Sequence, residues 1–204
     1  MRGNLYVVSS PAGAGKTTIV NLLLQELPSL RRIVTYTTRN RRKNEIDGMD
    51  YVFKTTEEFE VLIRQEAFLE YATVHGNYYG TPKREVFEYI DQGFDVVLVI
   101  DIQGMRQVKA SFSQTITIFI LPPSLEELIQ RMRIRGENPE EIQKRLKTAS
   151  LEFPAWRDYD YIVINDSLEK AKNEIKCIIL SNRLRKSNFD PSQISDESLR
   201  SFLV

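Results

Sequence analysis

Cysteine, histidine and net charge are what this 204-residue sequence has least of. A single cysteine, Cys177, excludes an internal disulfide and suits a reducing compartment. A single histidine, His75, excludes a multi-histidine metal site and any mechanism that needs two imidazoles. Lys plus Arg and Asp plus Glu each number 28, so the domain-wide basic excess of a nucleic-acid-coating protein is missing. No apolar run approaches the roughly 18 residues of a membrane span. The longest runs, 94–100 and 116–121, have the length of buried strands. The first four residues lead directly into strand-like Leu5-Tyr6-Val7-Val8, without the succession of charged region, apolar core and cleavage site that marks a signal peptide. The expectation is a soluble, cytoplasmic protein with no membrane and no nucleic acid among its partners. At 42% hydrophobic and 27% charged, the composition fits one domain with an ordinary core.

Short β-branched runs alternate with segments of helical period, which predicts an α/β fold with a parallel sheet covered on both faces. Strands are expected at 5–9, 94–100, 116–121 and 161–164, and a helix at 17–27 that Pro28 stops. Ser124 reads as a helix N-cap, and Asp166 or Ser167 as the cap of the last long helix. On that helix Cys177 falls on the apolar stripe and is expected to be buried.

Two stretches interrupt the rhythm. Residues 37–81 are polar, with strand-like pieces at 51–53 and 68–73 around a small helix at 56–65, and read as an inserted lobe. Residues 131–150 are charge-rich and helical, with Asn138 as a cap and Pro139 in the first helical position, and suit a mobile, solvated pair of helices. The division drawn from composition is therefore a core of 1–36, 82–130 and 151–186, the two insertions, and a tail of 187–204 that frays or forms a short appended helix.

The sharpest signal is Ser9-Ser10-Pro11-Ala12-Gly13-Ala14-Gly15-Lys16-Thr17-Thr18, set between a strand and a helix. It matches the phosphate loop G-x-x-x-x-G-K-[ST] at Gly15, Lys16 and Thr17, with Ser10 in the place of the first glycine. Small residues let backbone N–H groups curl around phosphate oxygens at the positive end of a helix. Lys16 suits the β and γ oxygens, and the Thr17 hydroxyl suits a magnesium shell. A serine there is tolerable unless the position needs positive φ. The loop predicts nucleoside triphosphate binding and leaves the acceptor open.

Downstream lie Thr35 to Arg42, then Tyr51, Glu70-Tyr71, and Gly76-Asn77-Tyr78-Tyr79-Gly80-Thr81. Singly these are solvated arginines and core or strand-edge tyrosines. Together they hold what a nucleoside monophosphate needs. Guanidinium forks suit a phosphate dianion. One carboxylate can accept two hydrogen bonds from guanine N1–H and N2–H₂, where adenine would present a lone pair.

At this point the chain resembles the guanylate kinases, P-loop enzymes that pass phosphate from ATP to GMP, over about residues 5–184. Thr37-Thr38-Arg39-x-x-Arg42 is similar to the family's T-T-R-x-x-R, and residues 76–81 to its G-N-Y-Y-G-[ST]. The resemblance implies a parallel-sheet core with a GMP-binding lobe and a helical lid. It implies that Arg39, Arg42, Tyr51 and Tyr79 hold the GMP phosphate, and that Thr35, Glu70 and Thr81 read guanine. Asp101-Ile102-Gln103-Gly104 matches D-x-Q-G, which implies that Asp101 serves magnesium or the acceptor. Arg131, Arg135 and Arg145 match lid arginines that close on the ATP phosphates, and Asn165-Asp166 the N-D pair near adenine. The sequence departs from the pattern at Val99, where an Asp is usual, so Val99 is expected to form an apolar wall behind Asp101. Two other functions share these features: an inactive guanylate kinase-like module that holds phosphorylated partners, and a P-loop kinase for another phosphorylated acceptor. Intact Gly15-Lys16-Thr17 argues against the first, and Glu70 with Thr35 and the tyrosines against the second. His75 is expected to be a surface loop residue. The basic cluster 31–32 with 41–43 lacks interleaved aromatic platforms for RNA.

Overall fold

All five residues of β1 (Leu5–Ser9) are buried, as expected for a central strand of a parallel sheet whose two faces are both covered by helices. The computed structural model describes residues 2–11, 13–42, 45–74 and 76–203. The strand feeds α1 (Lys16–Glu26), then β2 (Leu30–Arg32). The chain leaves the main sheet for β3 (Tyr36–Thr37), β4 (Val52–Phe53), α2 (Thr56–Arg64), β5 (Phe68–Val74) and β6 (Asn77–Pro82). It returns through α3 (Lys83–Asp91), β7 (Asp95–Val99), α4 (Ile102–Ser111), β8 (Ile116–Leu121), α5 (Leu125–Ile134), α6 (Pro139–Glu152), β9 (Tyr161–Ile164) and α7 (Leu168–Arg183).

Main-sheet strands run parallel in the order β2-β7-β1-β8-β9. Because strand side chains alternate, the sheet has two separate cores. Tyr6, Val8, Val97 and Ile118 pack against Ile19 and Leu23 of α1 and Ala171, Ile175 and Ile179 of α7. Leu5, Val7, Leu98, Ile100 and Phe119 pack on the other face against Val86 and Ile90 of α3 and Met105 and Val108 of α4. The second sheet, β4-β3-β6-β5, is mixed. Phe59 of α2 holds it together, stacking on Phe68 at 4.4 Å and on Tyr78 at 5.1 Å between ring centroids. Helix α2 starts with a full capping box, Thr55 with Glu58. Helix α6 has its own, Asn138 with Glu141, with Pro139 in the first turn.

The predicted strands and helices of the main sheet are present, the 94–100 run as the shorter β7. Four elements escape the sequence: the two-residue β3, β6, whose Gly80 and Pro82 disguise a paired strand, α3, which follows it directly, and α4. Cys177 is exposed, not buried. The buried stripe of α7 runs Ala171, Ile175, Ile179 at a spacing of four, and a residue two places past Ile175 turns to the opposite side. His75 and Ala12 lie outside the described residues. The tail ends in a short helix, α8 (Glu197–Ser201), after two single helical turns. Among the described residues no helix is long and apolar enough to cross a membrane.

Candidate active site

Between β1 and α1 the chain makes the turn that only glycine tolerates. Gly13 and Gly15 have φ of +93° and +98°, a region costly for residues with a Cβ. Ser10 is accommodated because it is not in that region; among the described residues Glu66 alone of the non-glycines has positive φ. The Ser10 hydroxyl donates to the Pro11 carbonyl at 2.9 Å, and the Lys16 ammonium donates to the Ser10 carbonyl at 3.1 Å. Burial lowers the Lys16 pKa from its usual value, while Glu152 and Asp101 oppose that shift and Arg135 adds to it. Pro11 and Ala14 are buried supports, whereas Thr17 and Thr18 are exposed at the first turn of α1.

Asn165, at the end of β9, is buried and its amide donates to the Ala14 carbonyl at 2.8 Å. A Cβ on Gly15 would stand 2.6 Å from that amide. Arg131 joins the same thread: its guanidinium donates to the Asn165 carbonyl at 2.9 Å and pairs with Glu127 at 2.9 Å. Arg145 pairs with Glu137 at 3.0 Å. The Arg135 side chain makes no hydrogen bond among the described residues, and it lies near enough to Lys16 to depress its ammonium.

The carboxyl ends of β2 and β7 and the second sheet enclose a cavity of about 450 Å³. Open α/β sheets bind ligands at this edge. Lys16, Thr35, Tyr51, Glu70, Tyr79, Asp101 and Arg145 all line it, so residues up to 129 positions apart in sequence meet at one site.

One end is closed by Glu70 on β5. It is 5% exposed, accepts a 2.5 Å hydrogen bond from the Thr81 hydroxyl, and packs so close to α4 that a Cβ on Gly104 would fall 2.7 Å from its Oε2. Burial pushes its pKa from 4.5 up to about 7; Asp101 adds to the rise, and the Thr81 bond opposes it. Thr81 is buried behind Glu70 and is not a cavity-lining group. Asp101 caps α4, accepting from the Gly104 N–H at 2.8 Å through Oδ1, and its other carboxylate oxygen has no hydrogen bond among the described residues. Val99 lines the cavity beside it.

Behind Tyr51 and Tyr79 at the other end stands a cation, Arg39, which does not itself line the cavity. Arg39 sits over the Tyr51 ring at 5.3 Å and the Phe53 ring at 5.8 Å, with the Tyr79 hydroxyl beside it. Tyr51 and Tyr79 meet edge to face at 6.0 Å. Glu45 holds Arg39 by a 2.6 Å ion pair and accepts from the Arg42 backbone N–H at 2.8 Å, which keeps its carboxyl below the usual range. The Arg42 side chain is exposed and does not line the cavity. The sequence reading missed Glu45, because a carboxylate six positions from Arg39 across an irregular loop has no periodic signature. It also missed Glu152, at the far end of α6, whose charge acts on Lys16.

A phosphate loop at the end of a parallel sheet, facing a second polar cavity with its own guanidinium, defines a P-loop phosphotransferase whose acceptor is also anionic. The model of the guanylate kinase family matches residues 2–182. The chain is 44% identical to "Guanylate kinase" of Dechloromonas aromatica, over 90% of this chain and 92% of that one. It is 47% identical to the enzyme of the same name from Desulfitobacterium hafniense, with the same coverage of both chains. The crystal structure of guanylate kinase from Anaplasma phagocytophilum superimposes with a TM-score of 0.76 at 34% identity, covering 91% of this chain and 88% of the other. The chain belongs to the guanylate kinase family.

Proposed function

We infer that this chain transfers the γ-phosphate of ATP to GMP, giving ADP and GDP. The observation that carries the acceptor's identity is Glu70. A carboxylate buried at the closed end of the cavity, with Thr81 already on one oxygen, needs donors for its remaining lone pairs. Guanine supplies two adjacent ones; adenine does not. Arg39, Tyr51, Tyr79 and, after a swing of its exposed side chain, Arg42 take the acceptor phosphate, and Thr35 assists the base.

An acceptor phosphate oxygen is ionised at neutral pH and needs no general base. It attacks the γ-phosphorus as the bond to the β–γ bridging oxygen breaks and ADP departs. The protein contributes in-line positioning and neutralisation of charge. Residues 10–18 cradle the ATP phosphates, Lys16 reaches the transferred group, and Asn165 acts on the nucleotide by holding the loop. Arg131, Arg135 and Arg145 close over the phosphates from the helical pair 131–150, a lid that excludes water. Residues 37–81 form the acceptor lobe. The Thr17 hydroxyl and the unbonded Asp101 oxygen are protein oxygens suited to Mg²⁺, which takes few protein ligands beside water and phosphate. When bound, that ion offsets charge developing between the β and γ phosphates. With ATP and GMP as substrates and one unpaired thiol, the cytoplasm is the proposed compartment.

An inactive phosphopeptide-holding module does not need a formed phosphate loop with its lysine in place, and a kinase for ribose phosphates does not need Glu70. A coupled ADP-release assay offering GMP, AMP, UMP and ribose phosphates separately tests the assignment. GMP should be the best acceptor by orders of magnitude. ADP release without a preferred acceptor would defeat it.

A further inference from the structure

Arg32 belongs to neither of the groups of arginines described above. It is the last residue of β2, half-buried, and it lines the acceptor cavity. Its neighbour Arg31 is fully engaged: it donates to the Pro28 carbonyl at 2.6 Å and the Leu30 carbonyl at 3.0 Å, and lies 4.0 Å over the Phe94 ring. The guanidinium of Arg32 has no hydrogen bond, ion pair or ring contact among the described residues. A guanidinium held partly out of water with no bonded anion is an unsatisfied charge.

Register fixes which side of the cavity it occupies. Arg32 pairs with Val97, and paired residues in a sheet share a face. Val97 belongs to the core under α1, and Val99, two residues on, packs against the same core. Arg32 therefore stands on the α1 face, where the first residue of α1 is Lys16, with Val99 as its apolar neighbour. Glu70 is on the other side, against Gly104 of α4, whose Met105 and Val108 belong to the opposite core. The base is thus drawn toward α4, and the free guanidinium faces the phosphate loop.

We propose that Arg32 binds the phosphate of the acceptor nucleotide, adding a guanidinium on the loop side of a group that Arg39 holds from the lobe side. The proposal rests on the assignment of the acceptor as a nucleoside monophosphate. Two cations on opposite sides fix the orientation of the attacking oxygen as well as its charge. Val99 places an apolar group beside this cation, and Asp101, the carboxylate that lines the same cavity, forms no ion pair with it among the described residues.

The test compares wild type with Arg32→Gln and Arg32→Lys, each checked for an unchanged melting temperature, using GMP as substrate and guanosine as a competitive inhibitor that lacks the phosphate. Loss of one charge-assisted contact should raise KM for GMP about ten- to hundredfold in Arg32→Gln. Arg32→Lys should recover part of that loss, and KM for ATP and Ki for guanosine should stay within about twofold of wild type. An unchanged KM for GMP in Arg32→Gln overturns the assignment. So does an equal loss for guanosine, which would put Arg32 on the base, or a loss confined to ATP. A wild-type enzyme that does not phosphorylate GMP overturns the parent reading instead, and is recognised before any variant is made.

Discussion

At the Glu70 end of the acceptor cavity the polar groups are buried and already bonded to one another; at the Arg39 end they are better exposed, stacked on rings and clamped by a carboxylate at 2.6 Å. On the proposed reading, the difference follows from what each end would recognise. A base is neutral and nearly planar, so it is told from its analogues by leaving an unsatisfied partner when the wrong one enters, and that penalty is large only where water is absent. A phosphate dianion cannot be stripped of water cheaply, so its receptor keeps contact with solvent and relies on charge held in a fixed orientation.

The contrast breaks most visibly at Glu70. GMP should be preferred to AMP by on the order of 10⁴ in kcat/KM, and Glu70→Ala should lose most of that ratio while KM for ATP changes little. Selectivity that survives in Glu70→Ala would move base reading to another residue.

The same residue ties function to pH. With its pKa at about 7 instead of 4.5, folded Glu70 keeps a proton that the unfolded chain has already lost. Stability from this group is therefore complete below about pH 4.5 and is lost as pH rises through about 7, a deficit on the order of 3 kcal/mol above that window. Glu70→Gln should raise the unfolding free energy at pH 8 by a large part of that amount and by little at pH 4.5. Guanine needs the ionised form, so KM for GMP in the wild type should fall as pH goes from 6 to 8, and in Glu70→Gln it should not. Chemical denaturation at the two pH values and initial rates across the range check both statements; equal stabilisation at both would deny the buried charge.

A smaller effect is expected at the other end. Glu45→Gln keeps the shape but weakens the hold on Arg39, which should raise KM for GMP about five- to tenfold with kcat within about threefold, because orientation and not chemistry is disturbed. Combined with Arg39→Ala, the Glu45 substitution should add almost nothing. Additive losses in the double variant would show that Glu45 acts elsewhere.

Much of this contrast was legible in the sequence, unevenly. The phosphate loop and the strands that carry it are local: composition fixes their period, and two glycines fix the turn. Glu70 and Arg39 were identified through a family resemblance, since nothing in their immediate surroundings marks them. Glu45, Glu152 and Arg32 were not identified, because each acquires its role from a partner or a cavity assembled by distant parts of the chain. Strand β6 hid behind Gly80 and Pro82, residues that usually end strands; here Gly80 is needed because a Cβ would fall 2.8 Å from Phe68. Cys177 was placed by a stripe that was right about α7 and wrong about its own position on it.

Gly13 faces away from this cavity, toward the helical pair. A Cβ there would meet Leu128 at 3.1 Å and Met132 at 3.2 Å, and those two side chains, with Ile142 and Ala149, form the small core that holds α5 and α6 together. The phosphate loop thus packs directly on the core that joins α5 to α6, where an added methyl group would make those side chains give by a few tenths of an ångström. If residues 131–150 act as the proposed lid, a triphosphate seated on the loop lies one residue from the packing that joins α5 to α6, so donor binding is expected to be felt there first.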